Sequence, residues 1–308
     1  MHKQTQNTLK QLITVVGPTA IGKTSLSIAL AKSFEAPIIS CDSRQFYKET
    51  TIGTAVPTVE EQAQAPHYFI QNRSIFDAYN VGQFERDALE LLDELFEKHE
   101  VVIMVGGSGL YVDAVLKGLD YFPEINPKIR AQLNQDLEKE GLPILQERLK
   151  SLDLETYNNI ALENPHRVVR ALEVCIGSGK TYASFKNKPK KPRNFKSVKV
   201  GLEADRQIIY NRINQRVDLM VTAGLIDEAK KVYPHKTLNA LQTVGYRELF
   251  AHFDGTTTLE FAIEEIKKNT RRFAKRQLTW FRRDTETLWF DYSIPKDEIV
   301  AHLQKTIS

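Results

Sequence analysis

The chain has 308 residues, of which 42% are hydrophobic and 26% charged, with a formal net charge of +3. That length suits one large or two modest domains with a real core, and so small a net charge excludes any argument about partners from the whole-chain balance. Two distant cysteines, Cys41 and Cys175, outside any C-x-x-C pair exclude a disulfide framework and a cysteine zinc site.

Taken in chain order, Leu12–Val16 is a buried-strand pattern that ends at Gly17, and Thr24–Phe34 reads as a helix. Pro37–Cys41 is a second short apolar strand, Val81–His99 has helical spacing, and Val101–Val105 is a third strand. Such alternation predicts a parallel sheet covered on both faces. From Leu119 to Arg193 strands vanish, and Ile129–Leu137, Leu142–Leu149 and Arg167–Ile176 look helical. Lys186–Lys199, rich in proline and lysine, reads as a loop or linker. Val198–Leu202 and Thr287–Phe290 are later strands, and Ile263, Ile266, Thr270, Phe273, Gln277 and Trp280 mark the apolar face of a long helix. The expected fold is α/β: a P-loop doubly wound parallel sheet formed by residues 1–118 and 194–308, with a helical C-terminal part and a helical insertion at 119–193. The polar N-terminus lacks a signal-peptide core, and no apolar run approaches the roughly 20 residues of a membrane span. A cytoplasmic protein without membrane attachment is expected, with monomer as the default.

Gly17-Pro18-Thr19-Ala20-Ile21-Gly22-Lys23-Thr24 fits G-x-x-x-x-G-K-[ST], with a strand before it and a helix after. Glycines let backbone N–H groups turn inward, and the helix N-terminus adds partial positive charge. Lys23 neutralises phosphate oxygens, and the Thr24 hydroxyl is a ligand for Mg²⁺. Gly177-Ser178-Gly179-Lys180-Thr181 lacks the earlier glycine, since Val174 stands there, and reads as a helix end with a glycine stop. A P-loop by itself says only that a di- or triphosphate binds. Many P-loop NTPases carry an acid at the end of a later strand, yet Val101–Val105 runs into Gly106-Gly107-Ser108-Gly109.

Ligands of doubly wound sheets bind beyond the carboxyl ends of the strands. Asp42-Ser43-Arg44-Gln45 and Gly106–Gly109 should both reach that rim. Asp42 suits a general base or a helix N-cap. Gln45 suits a base edge, and Ser108 offers a hydroxyl from a tight turn. His67 and His166 have no companions that would make a metal cluster.

In order along the chain, Gly17–Thr24, Asp42-Ser43-Arg44-Gln45-Phe46-Tyr47, Gly106-Gly107-Ser108-Gly109-Leu110-Tyr111, Asn164–Glu173, Arg212–Met220, Gln242–Glu248 and Lys275–Phe281 resemble the motifs of the tRNA dimethylallyltransferases (tRNA isopentenyltransferases), bacterial type. The resemblance spans about Leu12 to Phe290. It implies transfer of a dimethylallyl group from dimethylallyl diphosphate to N6 of the adenosine 3′ of the anticodon. Diphosphate and Mg²⁺ would sit on Gly17–Thr24, with Arg216 assisting departure and Asp42, Ser108 and Lys23 as the catalytic set. Contacts to tRNA would come from Asp42, Ser43, Arg44, Gln45, Ser108, Arg130, His166, Arg167, Val168, Val169, Arg170, Gln242, Gly245, Tyr246, Arg247, Lys275, Arg276, Gln277, Thr279, Trp280 and Arg282. Ser108 stands where the family usually has threonine, Ile21 where it commonly has serine, and His166 where glutamine is frequent.

Two stretches, Val174–Leu202 and Lys267–Arg283, each hold eight basic residues and no acid. Basic runs are solvated faces by default, and Phe273 and Trp280 are expected in the core. The family's RNA blocks fall on the second run, which favours phosphate contact there. The rival readings are an ATP-dependent P-loop kinase of a small molecule or RNA, and a non-catalytic RNA-binding module.

Overall fold

The computed structural model describes residues 10–307. The described residues divide into two compact units, 10–117 with 193–307, and Gly118–Pro192.

The larger unit is built on six parallel strands: β1 (Gln11–Val16), β2 (Ile38–Ser40), β3 (His67–Tyr68), β4 (Val101–Val105), β5 (Lys196–Glu203) and β6 (Leu288–Asp291). Their order is β3-β2-β4-β1-β5-β6, so β1 lies inside the sheet between β4 and β5. Strands covered on both faces read as continuous apolar runs, and Leu12, Ile13, Val102 and Ile103 are all fully buried. Two apolar layers flank the sheet. One holds Ile13, Leu26, Leu30 and Ile103, and the other holds Leu12, Phe84, Leu92 and Val102. Alternate residues of each strand face opposite layers, as the period of two requires.

Helices α1 (Lys23–Phe34), α2 (Val59–Gln62), α3 (Val81–Phe96) and α4 (Gly109–Lys117) belong to the first part of this unit. Asn80 caps α3, with Gln83 reaching back to complete a capping box. The helical unit contains α5 (Pro127–Glu140), α6 (Leu142–Leu152), α7 (Leu154–Asn159) and α8 (Pro165–Ser178) around Leu133, Leu145, Leu149, Val168 and Leu172. Helix α8 stops at Gly179, whose φ of 66° suits its glycine. After β5 come α9 (Arg206–Thr222), α10 (Leu225–Val232), α11 (Tyr246–Phe253), α12 (Leu259–Phe281) and α13 (Lys296–Ile307). No helix of the described residues is long and apolar enough to cross a membrane.

Three details depart from the sequence reading. The Lys186–Lys199 segment is not loop throughout, because β5 begins at Lys196 and pairs with β1 from Gln11 onward. The two-residue strand β3 was too short to leave a periodic signal. The buried face of α12 is Ala262, Ile266, Ala274, Gln277 and Phe281, whereas Phe273 remains 37% exposed.

Candidate active site

The carboxyl ends of β1, β2 and β4 lie side by side. Cys41 N donates to Val105 O at 2.8 Å and Gly106 N donates to Val15 O at 3.2 Å. The loops that leave these three strands therefore share one rim.

The loop after β1 wraps Gly17 to Gly22. Gly17 has φ of 141°, and a Cβ there would stand 2.6 Å from the carbonyl oxygen of Leu202 on β5, so glycine is required on both counts. Ala20 takes the left-handed region at φ 64°, a strained choice for a residue with a Cβ. Its carbonyl is held by Arg212, whose Nε donates to it at 2.7 Å. Ile21 turns into the core and is 2% exposed, so its side chain anchors the loop instead of facing the cavity.

A cavity of about 90 Å³ opens at this loop, lined by Thr19 to Thr24 with Ser27, Ser40, Asp42, Gln45, His67 and Arg216 among others. Lys23 Nζ donates to Pro18 O at 2.8 Å. Burial lowers its pKa from 10.5 to about 8; Asp42 opposes that shift and Arg216 reinforces it. Arg216 is likewise pushed down, by burial first and then by Arg212. Its guanidinium nonetheless stays charged. The Thr24 hydroxyl makes no hydrogen bond within the protein and lines the cavity. No cluster of three or more His, Cys, Asp or Glu that could cage a metal occurs among the described residues. A lone hydroxyl beside bound phosphates fits Mg²⁺, which keeps waters and takes few protein ligands.

Beside this cavity lies a chamber of about 520 Å³. It is walled by Asp42, Ser43, Arg44, the Gly107–Tyr111 turn, Arg216, Gln242–Gly245 and the α12 residues Phe273, Arg276, Gln277 and Trp280, together with apolar residues of α9. Thr19, Asp42, Thr54, Ala55 and Arg216 line both spaces. Asp42 thus stands where the small polar cavity meets the larger chamber.

Asp42 caps no α-helix. Its Oδ1 accepts from Arg44 N at 3.1 Å, closing a short turn. Its backbone N donates to Ser40 Oγ at 3.3 Å. Ser108 Oγ accepts from Ser43 N at 3.1 Å and lies 3.1 Å from Ser43 Oγ, bridging the turns after β2 and β4. The carbonyl of Ser108 then accepts the first bonds of α4, from Tyr111 and Val112.

Several residues expected at the RNA are engaged elsewhere. Val168 and Val169 are 0% and 2% exposed in the core of the helical unit. Tyr246 is fully buried, and its hydroxyl donates to Glu228 Oε1 at 2.6 Å. Gln277 is 5% exposed, accepting from Thr19 N and donating to Gly107 O. Each sits on the inward face of its helix, a distinction that block matching does not make. Gln45 is also committed: its amide donates to Thr54 O and Ala55 O, while its Oε1 accepts from Ser40 Oγ. A base edge could reach that amide only by breaking these bonds. Phe273, expected in the core, lines the chamber, and Arg276 stacks over its ring. Trp280 is partly buried, with its indole N–H donating to Asp113 at 2.9 Å.

Other expected RNA residues remain at the surface. Lys275 and Arg276 make no ion pair among the described residues, whereas Lys267, Lys268 and Arg282 are paired with acids. Thr279 and Arg247 are exposed, and Gly245 and Gln242 line the chamber. In the helical unit His166 and Arg167 lie in the first turn of α8, while Arg130 and Arg170 converge on buried Glu173.

Sequence reasoning gave no site role to Arg212, the Thr54–Ala55 wall or His67. Arg212 and Arg216 lie four apart on α9 and so share a face, a signal that could have found the first. His67 Nδ1–H donates to Ala65 O, which leaves its buried Nε2 without a partner at the edge of the phosphate cavity. No motif announced it.

A family model described as IPP transferase matches residues 45–284. A tRNA dimethylallyltransferase of Flavobacterium johnsoniae is 61% identical over 305 residues, covering 97% of this chain and 99% of that one. The solved tRNA isopentenylpyrophosphate transferase of Bacillus halodurans superposes with a TM-score of 0.72 at 36% identity, covering 97% of this chain and 95% of that one. A eukaryotic dimethylallyltransferase solved while acting on tRNA shares the fold, with a TM-score of 0.78 at 24% identity over 97% of this chain and 78% of that one. On the strength of motif order, sheet topology and near full-length identity, this chain belongs to the IPP transferase family, that of the tRNA dimethylallyltransferases.

Proposed function

We propose that this protein transfers the dimethylallyl group of dimethylallyl diphosphate to N6 of the adenosine 3′ of the anticodon in tRNA. The observation that carries the reading is the pair of unequal spaces meeting at Asp42. A cavity of about 90 Å³ on the phosphate loop is far smaller than the roughly 300–1,000 Å³ typical of sites for drug-sized ligands. It suits a diphosphate without a nucleoside. The chamber of about 520 Å³ on the other side has room for a purine.

In this arrangement the Ala20–Thr24 backbone and Lys23 bind the diphosphate, and the allylic carbon points toward Asp42. The Asp42 carboxylate accepts the N6 proton of the adenine. The N6 lone pair forms the C–N bond as the allylic C–O bond breaks, and that electron pair leaves on the diphosphate. Lys23 and Arg216 stabilise the charge that develops there. The Thr24 hydroxyl would hold a magnesium ion, which would supply further charge neutralisation. Ser108, through Ser43, keeps the turn bearing Asp42 at its place on the rim. The adenine must leave its stack to enter, which costs least in an unpaired loop. Lys275, Arg276 and Arg247 on the larger unit, and His166 and Arg167 on the helical unit, offer exposed groups for the phosphates and sugars of the RNA.

The deciding assay incubates the protein with labelled dimethylallyl diphosphate, Mg²⁺ and unmodified tRNA. Label is expected in the tRNA, on the adenosine after the anticodon. Hydrolysis of ATP with no label in RNA would replace this reading by a kinase or NTPase.

A further inference from the structure

The cations of α12 draw attention to its outer face, yet one residue of the helix points the other way. Gln277 enters between the loop after β1 and the turn after β4. Its Oε1 accepts from Thr19 N at 2.9 Å, and its Nε2 donates to Gly107 O at 2.9 Å. Thr19 lines both the phosphate cavity and the chamber. Gly107 immediately precedes Ser108, which holds Ser43 and hence the turn of Asp42. A Cβ on Gly107 would stand 2.1 Å from Nε2 of Gln277, so the close approach requires glycine.

We infer that Gln277 is a positioning residue for the transfer: its amide holds the phosphate loop and the Ser108 turn in register, and fixes α12 to both. This deepens the proposed function and rests on its reading of the site. The two partners have opposite polarity, one N–H and one carbonyl. A neutral amide satisfies both with one planar head, as a protonated carboxyl does; an ionised carboxylate accepts only. Losing the donor leaves the buried Gly107 carbonyl facing a carboxylate oxygen, and the two loops separate. The diphosphate cradle and the Asp42 rim then move apart, so both diphosphate affinity and turnover suffer.

The test uses Gln277→Glu and the volume-matched Gln277→Met. Transfer to tRNA and binding of inorganic diphosphate with Mg²⁺ are measured from about pH 7.5 down to about pH 5.5, where a buried carboxyl with a raised pKa takes up its proton. Asp42, Arg44, Tyr111, Arg216, Arg247 and Arg276 face the same chamber, and Lys23 and His67 lie in the adjoining cavity. The native enzyme run in parallel contains the same groups, so the ratio of variant to native isolates position 277. At the upper pH both variants should lose about 10- to 100-fold in kcat/KM, the scale of an unmade buried hydrogen bond. Lowering the pH should restore the Glu variant toward native and leave the Met variant unrestored. A Glu-to-native ratio that does not change with pH overturns the inference. If the Glu variant does not fold, the Met variant decides: unchanged diphosphate affinity overturns the proposal, and weakened affinity supports it. Absence of transfer by the native protein would refute the proposed function, while the diphosphate measurements would still decide the role of Gln277.

Discussion

The two sides of Asp42 are built by different means. The phosphate cavity is floored by one continuous segment, Thr19 to Thr24, in which Ala20 and Ile21 are buried as anchors, and its remaining walls come from Ser40–Gln45, Thr54–Pro57, His67 and Arg216 among others. The chamber is assembled from stretches remote in sequence: Thr19, Asp42–Arg44, Gly53–Ala55, Gly107–Tyr111, Ile213–Leu225, Gln242–Arg247 and Ile266–Trp280. A local backbone cradle tolerates change in its side chains but not in its glycines. A composite chamber depends on side chains that hold its parts together, here Gln277, Gln45 and the Tyr246–Glu228 pair. Glu228 accepts from the backbone N–H groups of Thr51, Ile52 and Gly53, next to the Thr54–Ala55 wall that both spaces share.

The largest effect should come at the boundary. Asp42→Ala should lower kcat by about 10²- to 10⁴-fold, the range of a positioned general base, while tRNA and diphosphate still bind. Equal loss of diphosphate binding would show that Asp42 belongs to the cradle and blur the division. Lys23→Ala should weaken Mg-diphosphate binding by about 100-fold, as expected for a lost charged partner at a buried site, and leave tRNA affinity intact.

The pH dependence of the same lysine sharpens the point. Lys23 in the empty enzyme titrates at about 8, so it is charged below that pH and neutral above it. An arriving diphosphate favours the charged form and raises that value. Between about pH 8 and 10 diphosphate binding should therefore take up a proton, visible by calorimetry in buffers of different ionisation enthalpy. The stability consequence has a definite sign. Burial of the lysine destabilises the empty fold fully below about pH 8, and that cost fades as pH rises toward the ordinary lysine value of 10.5.

On the chamber side the effects should be smaller and salt-dependent. Removing both Lys275 and Arg276 charges should reduce the slope of log K against log[salt] for tRNA by about 1–2 and leave diphosphate affinity unchanged. An unchanged slope would move the RNA off this face of α12. Smallest of all, Tyr246→Phe removes one hydroxyl from Glu228, which keeps the Gly53 N–H. It should cost about 1–2 kcal/mol of stability by thermal or denaturant unfolding, and transfer should fall only slightly.

The α/β class was legible because β1, β2 and β4 are mostly apolar, and helices such as α3 carry both periodic apolar residues and a cap. The start of β5 was hidden by lysines, since Lys196 is exposed at the strand's entry and pairs there only through its backbone. Within α12 the spacing placed a helix correctly but its face imprecisely. Phe273 was assigned to the core on hydrophobicity and is 37% exposed, whereas Gln277, placed on the same face by spacing, is buried there because two backbone groups pair with its amide.

The sequence by itself determined the phosphate loop, the α/β alternation and the identity of Asp42 and Ser108 as rim residues. These are local properties: glycine spacing, strand endings and the known side of a parallel sheet on which loops emerge. Only the tertiary structure decided that Asp42 lies between two spaces of unequal size, that Arg212 supports Ala20, and that Val168, Val169 and Tyr246 face inward. Those outcomes depend on which faces of distant helices meet, and helix facing is set by packing among elements that no single segment encodes.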